Sequence, residues 1–227
     1  MVDQKQLHNK IYAGEPVIGH KKMPFVSKKF IQQLITIIDV KQDDLVLDLG
    51  SGDQGVSVKY PKNTVAIDIA KQAKFFTKAP FVAANALHLP FKSGSFDKVY
   101  CAEVIEHMPE QSYVKHIIAE IWRVLRKGGF AVISTPNENS LVAMTRAVLK
   151  GYKEPPGSIH TSFVSVHALK TLCKKQGFEI NKLYTYLLPL PIPKYDYNLP
   201  AAALKVLYHV GKLTPKISHG MIIKVQK

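Results

Sequence analysis

Apolar and polar positions along this chain follow two periods. Short runs rich in Val, Ile, Leu, Phe and Ala fall at 45–49, 65–69, 81–84, 98–102 and 130–134. Runs of four or five residues, apolar nearly throughout, predict buried strands of a parallel sheet. Between them the spacing becomes helical. Residues 71–78 have helical character, and over 110–125 Val114, Ile117, Ile118, Ile121 and Leu125 form one apolar stripe. Gly128 and Gly129 are expected to stop that helix. An amphipathic helix at 28–38 leads into the first strand. Beyond Ser134 come a polar loop at 135–140 and a Gly/Pro-rich stretch at 152–162. A helix at 166–176 follows, closed by Gly177, and then a strand at 178–187. Pro189, Pro191 and Pro193 force an extended connector before a helix at 201–213 and a terminal strand at 221–225. The alternation predicts an α/β fold: a doubly wound, mostly parallel seven-stranded sheet with helices on both faces and an antiparallel last strand.

The first strand carries the first candidate chemistry. In "VLDLGSGDQG" (46–55), Gly50, Gly52 and Gly55 make the pattern G-x-G-x-x-G, and Asp68 ends the second strand. As a bare pattern this is the dinucleotide fingerprint, with glycines that let backbone approach a ligand and an acid for the ribose hydroxyls. Asp48 turns against that reading. A carboxylate two residues before the first glycine repels a pyrophosphate but holds an ammonium group. S-adenosylmethionine carries an ammonium, a cationic sulfur and no phosphate.

The downstream motifs point the same way: "VAIDIA" (65–70), "AANALHLPF" (83–91), "FDKVYCAEVIEHM" (96–108), "RVLRKGGFAVISTPNENS" (123–140) and "GF" (177–178). With "VLDLGSG" (46–52), these make the chain resemble the class I S-adenosylmethionine-dependent methyltransferases, in particular the ubiquinone-biosynthesis-like O-methyltransferase branch, over residues 40–180. The resemblance implies an N-terminal helical cap (1–39) and a methyltransferase domain (40–227), with acceptor-side insertions around 138–165 and 187–218. It implies that Asp48, Gly50 and Gly52 line the methionine part of the cofactor. Asp68 would bind the ribose hydroxyls, Ile69 and Ala86 would lie against adenine, and Ala102 and Glu103 would close the pocket. Where the family usually has an acid for the adenine amino group this chain has Asn85, whose oxygen can still accept that bond, more weakly.

Glu103, Glu106 and His107 form an E-x-x-E-H cluster. In one quinone-pathway relative the matching residues look like metal ligands. The same letters recur in relatives that need no metal, and no metal is expected here. His107 and His160 are the candidate general bases, His160 also reading as a loop residue that closes the site. The resemblance implies methyl transfer to a small-molecule or lipid-linked acceptor, at oxygen. Tyr12, Tyr152, Phe163, Tyr195 and Tyr197 are available to line the acceptor pocket.

Composition bounds the alternatives. Two cysteines without a C-x-x-C, and no apolar run of membrane-spanning length, fit a cytoplasmic protein. The net charge of +14 divides into +3 over residues 1–40, +1 over 41–140 and +10 over 141–227. A basic C-terminal third can attract an anionic substrate, a membrane surface or RNA. Methylation of RNA is disfavoured by "AEVIEHM" after the fourth strand, where many base-amino methyltransferases carry a proline-rich motif, and by the lack of an RNA-binding module. A non-catalytic cofactor-binding protein is the remaining alternative.

Overall fold

In a computed structural model the described residues are 24–53, 55–140, 162–186, 206, 209, 210, 213, 214 and 216–227, with side chains from Phe30 onward. Helix α1 (Pro24–Ile38) precedes strand β1 (Val46–Leu49), the single turn α2 (Val56–Lys59) and β2 (Thr64–Asp68). A 3₁₀ turn (Lys71–Phe76) leads to β3 (Phe81–Ala83) and β4 (Phe96–Ala102). A second 3₁₀ turn (Ile105–His107), α3 (Gln111–Val124), β5 (Leu125–Pro136), α4 (Val166–Gln176), β6 (Glu179–Tyr186) and β7 (Gly220–Gln226) complete the order. The predicted helix 201–213 lies largely outside the described residues.

The seven strands form one sheet in the order β3-β2-β1-β4-β5-β7-β6. Strands β1 to β5 are parallel, and β7 runs antiparallel between β5 and β6. The two-residue period of the strands divides the core between two faces. Leu47, Leu49, Val99, Cys101, Ala131 and Ile133 pack with the apolar stripes of α3 and α4. Val46, Tyr100, Val132 and Ile222 face α1 through Leu34 and Ile38. Sheet order turns back between β1 and β4, and doubly wound sheets bind ligands at such a reversal, outside the strands' carboxyl ends.

Two expectations are corrected. Residues 71–78 were expected to form a helix, and the chain makes only a six-residue 3₁₀ turn, held inward by small Ala73. The glycine pair does not end α3, which stops at Val124, four residues before Gly128. Phe96 pairs with Leu125 and Lys98 with Phe130, so residues 126–129 bulge from the ladder. Gly128 (φ +80°) and Gly129 shape that bulge, and a Cβ on Gly129 would lie 2.6 Å from the Asp97 carbonyl. The Gly177 prediction holds: φ is +107° and its N–H meets the carbonyls of Cys173 and Lys174.

Candidate active site

The predicted cofactor residues gather at the carboxyl ends of neighbouring strands: Asp48 to Gly52 from β1, Asp68 and Ile69 from β2, Asn85 and Ala86 beyond β3, and Ala102 and Glu103 from β4. The glycine loop is bound back to β2, the Gly50 and Ser51 N–H groups both donating to the Ile67 carbonyl (2.9 and 3.0 Å). Gly50 (φ +70°) and Gly52 (φ +51°) are both left-handed. A Cβ on Gly50 would strike Val104, so only glycine lets the loop lie on the turn after β4.

Asp48 is fully buried beneath this loop. Its Oδ2 accepts the Ser57 N–H at 2.8 Å, and its Oδ1 has no hydrogen-bond partner. Burial pushes the carboxyl up to about 6, against the pull of Ser57. A buried acid with one unsatisfied oxygen is suited to a cationic group. Asp68, also buried, accepts the Gly52 N–H (3.1 Å) on one oxygen and the Ala70 N–H (2.9 Å) on the other. It thereby ties the glycine loop to β2, with lone pairs left on both oxygens for hydroxyl donors. The donor set fits S-adenosylmethionine: an unsatisfied carboxylate, a glycine cradle and a second acid one strand away.

Asn85 is exposed, its Oδ1 accepting the Leu87 N–H at 3.0 Å. Ile69 is exposed, and Ala86 and Leu87 are half-buried. Helix α3 staples the segment that follows. Arg123 donates to the carbonyls of Phe91 (2.6 Å) and Leu89 (2.9 Å), and Glu120 accepts the Leu89 N–H (2.7 Å). The Arg123 guanidinium also pairs with Glu120 and holds its carboxyl below the usual range.

At the end of β4, Glu103 adopts a left-handed backbone (φ +55°). Its N–H meets the Ser134 carbonyl (3.1 Å), and its Oε1 accepts from the Ser134 hydroxyl (3.0 Å) and from Tyr186 Oη (3.4 Å). Glu106 is fully buried, its Oε2 accepting from Thr135 Oγ1 at 3.1 Å. Its Oε1 meets no donor, but a protonated Glu106 becomes a donor to Glu103. Burial and the Glu103 charge raise Glu106 well above the carboxylate range, and burial pushes Glu103 up to about 7. Both carboxyls are thus held above the ordinary carboxylate range, each by its burial and Glu106 also by its neighbour's charge.

His107 closes the 3₁₀ turn and is half-buried. Among the described residues no group of three or more His, Cys, Asp or Glu is placed to hold a metal ion. His160, Tyr12, Tyr152, Tyr195 and Tyr197 lie outside the described residues. Ser162 is anchored beside the pair, its N–H on the Glu106 carbonyl (3.0 Å) and its hydroxyl on the Met108 carbonyl (2.6 Å).

Sequence reasoning missed Ser134, Thr135 and Tyr186. They come from the ends of β5 and β6: Ser134 and Thr135 lie within the motif at 123–140 without being singled out, and no local pattern marks Tyr186. Tyr186 fits because β7 has Gly220 opposite, where any Cβ would collide with the ring.

Residues 47–133 match the family model described as a methyltransferase domain. The chain belongs to the class I S-adenosylmethionine-dependent methyltransferases. This methyltransferase is 30% identical over 222 residues to an uncharacterized protein of Methanocaldococcus jannaschii, across 86% of this chain and 84% of that one. It is 28% identical to the 2-methyl-6-phytyl-1,4-hydroquinone methyltransferase of a Synechocystis strain, across 83% and 64%. In fold it is similar to an S-adenosylmethionine-dependent methyltransferase of Thermotoga maritima (TM-score 0.69, 16% identity, 99% of both chains). The methyltransferase uses S-adenosylmethionine as its cofactor.

Proposed function

We propose that the methyltransferase moves a methyl group to a hydroxyl oxygen of a small or lipid-linked acceptor. The observation that carries this reading is the Glu103 carboxylate at the end of β4, held by the Ser134 hydroxyl and Tyr186 Oη, with the buried Glu106 on the turn that follows. S-adenosylmethionine, when bound, supplies the electrophilic methyl group.

The chain's own residues then have three tasks. Asp48, Gly50 and Gly52 hold the methionine end, Asp68 the ribose hydroxyls, and Ile69, Asn85 and Ala86 the adenine, with Ala102 closing the pocket. Glu103, the less deeply buried of the two, orients the acceptor hydroxyl and takes its proton. His107, on the turn after β4, is the second proton acceptor, and His160 is the other candidate base. A hydroxyl needs such a base, whereas a neutral amine attacks without losing a proton first. The hydroquinone named for the Synechocystis relative, an acceptor with hydroxyl groups and a phytyl chain, supports the lipid-linked class.

The test is mass spectrometry of cell extract incubated with methyl-labelled cofactor. A labelled methyl ether formed by the wild-type chain supports the reading, and a methyl ester, the product of a carboxylate acceptor, overturns it. Label appearing only on nitrogen, or only in RNA, overturns it. Once an acceptor is found, Glu103→Gln should lower kcat by about a hundredfold. His107→Ala and His160→Ala, measured alongside, apportion the remaining proton transfer.

A further inference from the structure

We propose that the segment between β2 and β3, with Phe75 at its tip, docks on a bilayer surface rich in anionic phospholipid. This goes beyond the transfer reaction and is independent of which atom is methylated.

The near-neutral balance of residues 41–140 hides a local asymmetry. From residue 54 to residue 96 the one acid is Asp68, which is buried. The same stretch holds Lys59, Lys62, Lys71, Lys74, Lys78 and Lys92, and all six are exposed.

The apolar residues here are inverted relative to what packing needs. The 3₁₀ turn Lys71–Phe76 is seated by its small residues: Ala70 and Ala73 are fully buried, and Ala79 nearly so. Its two large apolar residues are turned out, Phe75 84% exposed and Phe76 40% exposed. A single exposed apolar residue is ordinary, but this one has company. The Thr77 hydroxyl donates to the Ser57 carbonyl at 3.0 Å and holds the turn against α2. Residue Val58 of α2 is 44% exposed and is followed by exposed Lys59.

The result is a projecting phenylalanine among lysines, the arrangement that lies in a lipid interface with the ring among acyl chains and the ammonium groups at headgroup level. Single-stranded RNA would instead call for a groove and favour arginine's planar fork. The three arginines, Arg123, Arg126 and Arg146, all lie outside this stretch. The turn begins three residues after Asp68, so a docked surface would bring the cofactor crevice close to the bilayer.

The experiment is co-sedimentation of the full chain with phosphatidylcholine vesicles, with and without phosphatidylglycerol. Binding is expected only with phosphatidylglycerol and should fall as salt is added. Phe75→Ala should weaken the partition about tenfold, and Lys74→Ala about fivefold. Both variants should bind S-adenosylhomocysteine like the wild type, which reports an intact fold. A dye on Phe75→Cys should shift to the blue when vesicles are added. The proposal is overturned by no binding to anionic vesicles at low salt. It is equally overturned if Phe75→Ala and Lys74→Ala bind as well as wild type, since another basic face then carries the affinity. Binding of a single-stranded oligonucleotide that these variants weaken, without vesicle binding, assigns the surface to nucleic acid instead.

Discussion

Asp48 is a carboxylate that folding strips of water, and its response to pH follows from that. An ordinary aspartate titrates near 3.8, and burial brings Asp48 to about 6. The unfolded chain therefore gives up this proton more easily than the folded one. Asp48's contribution to stability is greatest when it is protonated, below about pH 4, and is lost as pH rises to about 6, with a cost on the order of 3 kcal/mol above that. Asp48→Asn should remove this slope and raise Tm near neutral pH by several degrees, while weakening cofactor binding tenfold or more. Thermal melts across pH and calorimetry with S-adenosylhomocysteine check the two halves. A variant that binds the cofactor normally would remove Asp48 from the site. The neighbouring pair moves the other way in function. Tyr186→Phe takes a donor from Glu103, so the Glu103 carboxyl should rise further above 7. The acidic limb of kcat/KM should then move to higher pH, whereas a merely structural Tyr186 would change stability and leave the limb in place. Asp48 was legible in the sequence because it stands two residues before the glycine loop that covers it, and its one partner, the Ser57 N–H, is nine residues on. Tyr186 was not, because its partner stands 83 residues away and the glycine that makes room for it is on a third strand.

The elements show the same division between local and distant causes. Strand cores and the Gly177 cap could be read because period and cap chemistry lie within a few residues of the feature they create. The end of α3 could not. Lys227 Nζ donates to the carbonyls of Trp122 and Leu125, both at 2.7 Å, and satisfies the end of a helix more than 100 residues earlier in the chain. Its backbone also pairs with Gly128 and Gly129, closing the bulge that the glycines open. A cation on the terminal carbonyls is favourable both as a hydrogen-bond donor and against the helix dipole. Lys227→Met should therefore cost about 1–2 kcal/mol, read as a lower urea midpoint with an unchanged m-value. Arg123 does comparable work on the segment after Asn85. Arg123→Met leaves Leu89 and Phe91 without their donors and loosens the segment after Asn85. Cofactor affinity should fall several-fold in calorimetry, with β1 and β4 undisturbed.

For the whole molecule, one question separates the two readings of the glycine loop, and ligand linkage answers it. The fold alone does not, since a doubly wound sheet with a crevice at the β1/β4 reversal hosts dinucleotides and S-adenosylmethionine alike. The distinction lies in charge: an unsatisfied carboxylate under the loop welcomes an ammonium and repels a diphosphate. A ligand that binds only the folded chain stabilises it by about 2.7 kcal/mol at a hundred times its Kd. For a chain of this length that is a rise in Tm of roughly 5–10 °C. S-adenosylhomocysteine, which keeps the ammonium and the ribose, should produce this shift, and NADH at the same concentration should produce none. Asp68→Ala should abolish it, because the side chain ties Gly52 to β2 and is the acid proposed for the ribose hydroxyls. A melt in which NADH raises Tm and S-adenosylhomocysteine does not would mean that Asp48 fails to set the charge preference of the crevice.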